Sequence, residues 1–398
     1  MRRGSQAFED LRHQAGAVVT RVDVVVDGDV VAGTEERTPS RKFALRDGRL
    51  THNVATQVVT TGTMQLGLHD RHLVPLDGFG PLAPMARARL VVSTGFILNG
   101  QLETMPAAVL TISDAEFKSL GDGDTIVDLE VEDLSKDLAR SGFLAPFSIH
   151  AGTNVVQEIA DQVGAVYPGL VLNADQSGVS TATLEVDENK SRLDIINDLA
   201  GMINTKFMFT ADGTPTLVSR SLGWADTPVD QYDTNDPRID VSGGLNGLCR
   251  RLTIDGVHNA FKVVAESTRE PDENGDTPEP IVAAAFADNQ PSPAYYDQAM
   301  FDAGASGLFP ETIVTQVIQS TKAVEQFARS SANTLALQPE FVTGSIRPSP
   351  GLELMDTIAL NHDPIGLQGL FTIGSMTRPL GEGWMTFGAN ERRLGAAL

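Results

Sequence analysis

The chain has 398 residues, 41% of them hydrophobic, which is enough for two or three domains with cores of their own. Its formal net charge of −22 argues against wholesale binding to phosphate backbones, a local basic patch aside, and serves solubility first. The lone cysteine, Cys249, excludes an intrachain disulfide and a thiolate metal cluster.

Aromatics are sparse at 6%, while Gly (37) and Pro (21) are plentiful, a balance that suits many turns and short strands. Met1-Arg2-Arg3 leads into Glu9, Asp10 and His13 with no apolar run behind it. No secretory signal and no membrane-spanning helix are therefore expected. Residues 1–16 are expected to form a helical arm.

The first half then reads as strands. Arg21 to Val26, the turn Asp27-Gly28-Asp29, and Val30-Val31 make a hairpin signal. Arg87 to Ser93 alternates before Gly95, and Ala108 to Ile112 and Thr125 to Val131 read as further strands. Period-2 alternation with regular turns predicts a barrel or sandwich. The pattern changes at Asn154, which is placed to cap a helix with Gln157 at its third position and Val155, Val156, Ile159, Ala160 and Val163 on one face. A second helix begins at Ser191 with Asp194 set for a capping box, burying Leu193, Ile196, Leu199, Ala200 and Ile203. Lys206 to Thr210, Asp212-Gly213 and Thr216 to Val218 form a hairpin behind it, so residues 147–220 read as a small α+β domain.

Residues 221–250 are turn-rich and read as a connection. Val257 to Glu266 reads as a strand, residues 267–280 as an acidic loop, and Thr321 to about Leu337 as a helix with Val324, Phe327, Ala328 and Leu335 inward. The tail is β-rich, with strands at Glu340 to Arg347, Thr357 to Leu360, Leu370 to Met376 and Gly383 to Ala389. First and last thirds are both β-rich, which raises the idea of two versions of one domain type without sequence identity between them.

Chemistry-bearing motifs are few. There is no phosphate loop, no nucleophile elbow, no zinc helix and, at Gly121 to Asp124, no complete dinucleotide loop. His69-Asp70-Arg71-His72 lacks a third metal ligand nearby and reads as polar loop. Asp272, Asn274 and Asp276 imitate a calcium loop, but Thr277 and Ala283 stand where Gly and Glu are required. Asp133 and Asp137, with Lys136 between them, read as an exposed amphipathic turn rather than a catalytic carboxylate pair. Cys249 precedes Arg250 and Arg251, which could activate a thiol, yet a small buried apolar residue is the expectation. His13, His52, His150, His258 and His362 are scattered. No catalytic residue, cofactor site or metal site is assigned.

Three segments in order carry a family resemblance. Leu90 to Gly95, Glu103 to Pro106 and Ala108 to Ile112 lead on to Val127 to Leu138, a strand followed by a helix start at Asp133-Leu134-Ser135. Ser191 to Val218 is a capped helix with an Asp-Gly hairpin. Pro350-Gly351-Leu352 to Leu360, then Phe371 to Met376 and Trp384 to Gly388, resembles the opening and closing of a barrel. Pro84-Met85-Ala86 departs from the family's Pro-x-Gly turn. From about Val18 to Arg392 the chain resembles tail hub (baseplate hub, late-control-D-like) proteins of long-tailed bacteriophages, most of all minor tail proteins of actinobacterial phages.

The resemblance implies an α+β, β-rich fold with two tail-tube-like β-barrel or sandwich domains and a small α+β domain between them. Expected borders are an arm at 1–16, a tube-like domain at 17–146, an α+β domain at 147–222, a linker at 223–250 and a second tube-like domain at 251–398 with a helix near 321–337. It implies a structural, non-enzymatic homotrimer at the virion tail tip, assembled in the host cytoplasm. Its expected partners are the tail tube or distal tail protein, the tape-measure protein and tail fibre or tip proteins. DNA would pass without specific binding, and no membrane insertion is expected. A tail-associated cell-wall hydrolase and a carbohydrate-binding β module are the alternatives. Two Trp and four Tyr supply few platforms for sugar.

Overall fold

A computed structural model describes residues 4–13, 17–34, 43–68, 73–75, 80–84, 86, 88–120, 125–174, 177–180, 183–203, 205–219, 227–239, 247–252, 260–265, 279–286, 310–315, 321–335 and 340–392. Helix α1 (Gln6–His13) precedes the hairpin of β1 (Val19–Val26) and β2 (Asp29–Gly33). Its turn places Asp27 at φ 50° and Gly28 at φ 91°. Two successive positive φ values twist a two-residue turn to match its strands, which is why Asp-Gly stands there. The same device at Asn99 (φ 52°) and Gly100 (φ 77°) joins β5 (Arg89–Leu98) to the long β6 (Gln101–Ser119).

Strands β3 (Phe43–Asn53), β4 (Thr60–Leu68) and β7 (Thr125–Asp133) complete the first β unit. The second comprises β13 (Asp230–Asp233), β14 (Cys249–Leu252), β18 (Glu340–Ile346), β19 (Thr357–His362), β20 (Leu367–Pro379) and β21 (Met385–Arg392). All of them belong to one sheet in the order β14-β18-β21-β20-β3-β4-β7-β6-β5-β1-β2, with β19 on β20 and β13 on β19.

That order holds a duplication. In chain order β3, β4, β5, β6, β7 match β14, β18, β19, β20, β21. Each set runs first strand on second, second on fifth, fifth on fourth and fourth on third, antiparallel throughout. Even the irregularities coincide: β6 bulges against β7 between Ile112 and Asp114, and β20 against β21 between Ile373 and Ser375. The two units meet where β20 pairs with β3. Each curls over its own core, one built on Val22, Leu50, Leu66, Leu90, Leu110 and Val127, the other on Tyr232, Val342, Ile358, Phe371, Met385 and Phe387. The β-rich first and last thirds are two versions of one architecture, joined as a single sheet.

Between them lies an α+β unit with helices α2 (Ser135–Arg140), α3 (Val155–Gly164) and α4 (Arg192–Met202) and strands β8 (Phe147–Ile149), β9 (Asn173–Ala174), β10 (Leu184–Val186), β11 (Thr205–Phe209) and β12 (Pro215–Ser219). Asn154 caps α3 through the Gln157 amide, and Ser191 and Asp194 form the full capping box of α4. Leu193, Ile196, Leu199 and Ala200 are buried as the spacing predicts, against Ile159, Val163 and Phe207. The core begins earlier than residue 147, taking in Leu134 and Leu138 of α2. A fourth core joins β15 (Ala260–Ala265), β16 (Ile281–Phe286) and β17 (Pro310–Thr315) to α5 (Thr321–Leu335), with Phe261, Val263, Val324 and Ala328 fully buried. This piece is spliced between β14 and β18, the connection that is a short turn between β3 and β4.

Several expectations change. The segment read as a linker contains strand β13, which buries Asp230 and Tyr232 and exposes Gln231 and Asp233. Cys249 is exposed rather than buried, because it lies on β14, whose strand partner among the described residues is β18 alone. His69 to His72, Gly121 to Asp124, and Asp272, Asn274 and Asp276 lie outside the described residues.

Candidate functional site

Several buried polar and charged residues gather where the two β units and helix α1 meet. Asp230, with no side-chain exposure, sits between two guanidinium groups. Arg238 Nη1 donates to its Oδ1 at 2.8 Å, and Arg12 Nη2 to its Oδ2 at 3.3 Å. Tyr232 Oη donates to Asp230 Oδ2 at 3.1 Å, and its ring lies under the Arg238 guanidinium at 4.5 Å. Burial beside this carboxylate pushes the Tyr232 hydroxyl pKa far up. Arg12 Nε also donates to Ser349 Oγ at 2.9 Å. Helix α1 thus plants its last turn in the second β unit. Its first turn is pinned to the first unit: Phe8 meets Phe96 edge-on at 5.0 Å, and Ser5 donates to Glu103 from its amide (2.6 Å) and its hydroxyl (2.7 Å).

A second polar knot follows the β20–β3 junction. Arg378 of β20, 2% exposed, donates to Thr94 Oγ1 of β5 at 3.2 Å and to the Leu352 carbonyl at 2.6 Å. Burial brings its pKa down to about 10, against the pull of Glu353 and Asp356. Across the junction His52 Nδ1 lies 2.9 Å from Thr60 Oγ1, and the Thr60 amide donates to Asp133 Oδ2 at 2.6 Å. His52 is 5% exposed; burial, then the nearby Arg378 charge, pushes its pKa down to about 3. Burial raises Asp133 against its hydrogen bonds from Thr60 and Ser135, and raises Asp356 to about 6.

Two expectations are corrected here. Asp133 and Asp137 are not an exposed helical pair: Asp133 ends β7, is 3% exposed and accepts the Ser135 amide at 2.8 Å as the chain turns into α2. Asp137 accepts the Tyr167 hydroxyl at 2.7 Å. His52 is not an isolated histidine, since Thr60 ties it to Asp133; β3 carries both its polar face and this inward ring, which no linear motif records. The cavity they share with Met208, Leu352 and Met376 holds about 30 Å³, far below the roughly 300–1,000 Å³ of a ligand pocket. Among the described residues no cluster of His, Cys, Asp and Glu is arranged to hold a metal. Most polar groups of the seam bond one another, and Arg378 with Thr94 ties the second β unit to the first.

The sheet's open face has a different character. Across six strands, directly opposed residues are Ser345, which is itself buried, then Thr386, Thr377, Thr51, Thr61 and Glu132. The second unit presents hydroxyls and glycine there, and the first presents Asp114, Glu116, Asp128 and Glu130 with Arg49 and Lys118. Glu130 stands opposite Asp114, and Asp128 opposite Glu116, like charges that repel across a ladder. Lys118 relieves the second pair at 2.6 Å from Asp128 and 2.9 Å from Glu116.

No family model and no curated protein sequence matches the chain. Solved structures do. A tail protein from Neisseria meningitidis superposes at a TM-score of 0.61 with 13% identity, over 94% of this chain and 97% of that one. A 43 kDa prophage tail protein from Shewanella oneidensis gives 0.58 and 9%, over 94% and 98%. A prophage tail protein from Listeria monocytogenes gives 0.52 and 10%, over 95% of each chain. The chain shares the α+β, β-rich fold of these proteins over nearly its whole length.

Proposed function

We propose that the chain is a structural tail hub subunit that forms a homotrimeric ring, joining a hexameric tail tube to the tip or baseplate of a long-tailed phage or a related particle. The observation that carries this reading is the duplicated β unit on one continuous sheet. Three copies would present six like units, which is what a threefold ring needs to mate with a sixfold tube. The fold shared end to end with phage and prophage tail proteins supports the same reading. The open face, rich in hydroxyls and carboxylates, suits the wall of a channel through which DNA passes without adhering. The ring would close or gate that channel, hold the end of the tape-measure protein, and carry tip or fibre proteins. It would be assembled in the host cytoplasm and end at the virion tail tip.

Light scattering of the purified full-length chain, with negative-stain images, tests the reading. Trimeric rings with a central hole are expected. A protein that stays monomeric at every concentration and shows no ring with a tail-tube protein added would overturn it.

A further inference from the structure

The eight strands β14-β18-β21-β20-β3-β4-β7-β6 form two copies of a four-strand set, and they end in two edges. One is β14. The other is the second half of β6: β5 pairs with residues 101–111, while residues beyond Ile112 have β7 as their strand partner among the described residues. An exposed, unpaired edge invites another chain to add to it.

The duplication says which edge fits which. Within the chain, the last strand of one set meets the first strand of the other at β20–β3, with Ser375 opposite Asn53, Thr377 opposite Thr51 and Pro379 opposite Arg49. β6 is the counterpart of β20, and β14 that of β3. Asp114 follows its bulge as Ser375 follows its own, facing Glu130 as Ser375 faces Gly388. Thr63 faces Glu130 and Arg49, while Thr343 faces Gly388 and Cys249. Glu116 therefore takes the place of Thr377, Lys118 that of Pro379, Arg251 that of Thr51 and Cys249 that of Arg49.

We propose that copies of this chain join edge to edge, residues 113–119 of one adding antiparallel to β14 of the next in the register of the internal junction. Glu116 then stands opposite Arg251 of a second copy, and Lys118 opposite its Cys249. The charges agree with the geometry: Glu116 has 66% of its side chain exposed, Arg251 is exposed, and the two have opposite sign. Because the two edges differ, the contact is head-to-tail, and a rotation that closes gives a ring. The inference rests on the proposed homo-oligomer and names the surface that builds it.

Lys118→Cys puts a second thiol in a chain whose one native cysteine already lies on the opposite edge. Mild oxidation of the full-length variant is expected to link subunits covalently, with a 118–249 disulfide found by peptide mass. Glu116→Arg and Arg251→Glu are each expected to weaken association at least about tenfold, and the two together to restore it. Circular dichroism separates these effects from unfolding. A trimer that yields no 118–249 link and ignores both charge reversals refutes this pairing while leaving the hub reading in place. A chain monomeric at every concentration removes both.

Discussion

His52 and Asp356 oppose each other in acid, and their removal is expected to expose this. The folded-state pKa of His52 is lowered from 6.5 to about 3, so its contribution is fully present above 6.5 and is lost as pH falls toward 3. At pH 4.5 the loss is about 2.7 kcal/mol, from two pH units at about 1.36 kcal/mol each. Asp356 is raised from 3.8 to about 6, so its burial costs stability above pH 6 and that cost fades as pH falls toward 3.8. The relief at pH 4.5 is about 2 kcal/mol. Urea midpoints of the wild type should therefore change little between pH 7 and 4.5 on account of these two groups. His52→Gln should gain about 2–3 kcal/mol relative to wild type over that interval, and Asp356→Asn should lose about 2 kcal/mol. The readout is the difference in pH dependence, so a uniform loss of stability from either substitution does not disturb it. Variants whose pH slopes match the wild type would refute the view that burial at the seam keeps His52 neutral in mild acid and makes Asp356 take up a proton near pH 6.

Two further substitutions probe the junction. Asp230→Asn keeps the shape of the side chain but leaves Arg12 and Arg238 buried around a neutral group; a loss of about 3–5 kcal/mol is expected in chemical denaturation. An unchanged midpoint would show that the ion cluster does not hold the arm. Gly95→Ala would place a Cβ 1.9 Å from the Glu103 carbonyl oxygen of the neighbouring strand. The β5–β6 ladder must separate to admit it, so a fall in melting temperature well beyond that of the same substitution at the exposed Gly142 is expected.

Much of the fold could be read from local signals. Asp27-Gly28, Asn154 with Gln157, Ser191 with Asp194, and Asp212-Gly213 each specify a turn or cap within a few residues, and each forms. β3 and β4 escaped because their outward residues are Arg, Asp, Thr and Gly, and four-residue β14 because nothing in Cys-Arg-Arg-Leu alternates clearly. The buried seam could not be read at all. Arg12, Asp230 and Ser349 are drawn together from three distant parts of the chain, and a charged residue gives no sign in sequence that it will be enclosed. Asp133 misled for a related reason: spacing alone does not show that a strand ends between it and Asp137.

The docking of helix α1 also bears on the order in which the protein is made. Arg12 bonds Ser349, 337 positions later in the chain. During synthesis the arm leaves the ribosome well before Ser349 and waits for it before its last turn can be seated. Contacts of such long separation form late. A chain stopped before Ser349 would carry an arm without its second anchor and an unjoined seam, so this staple closes only after the second β unit has been made.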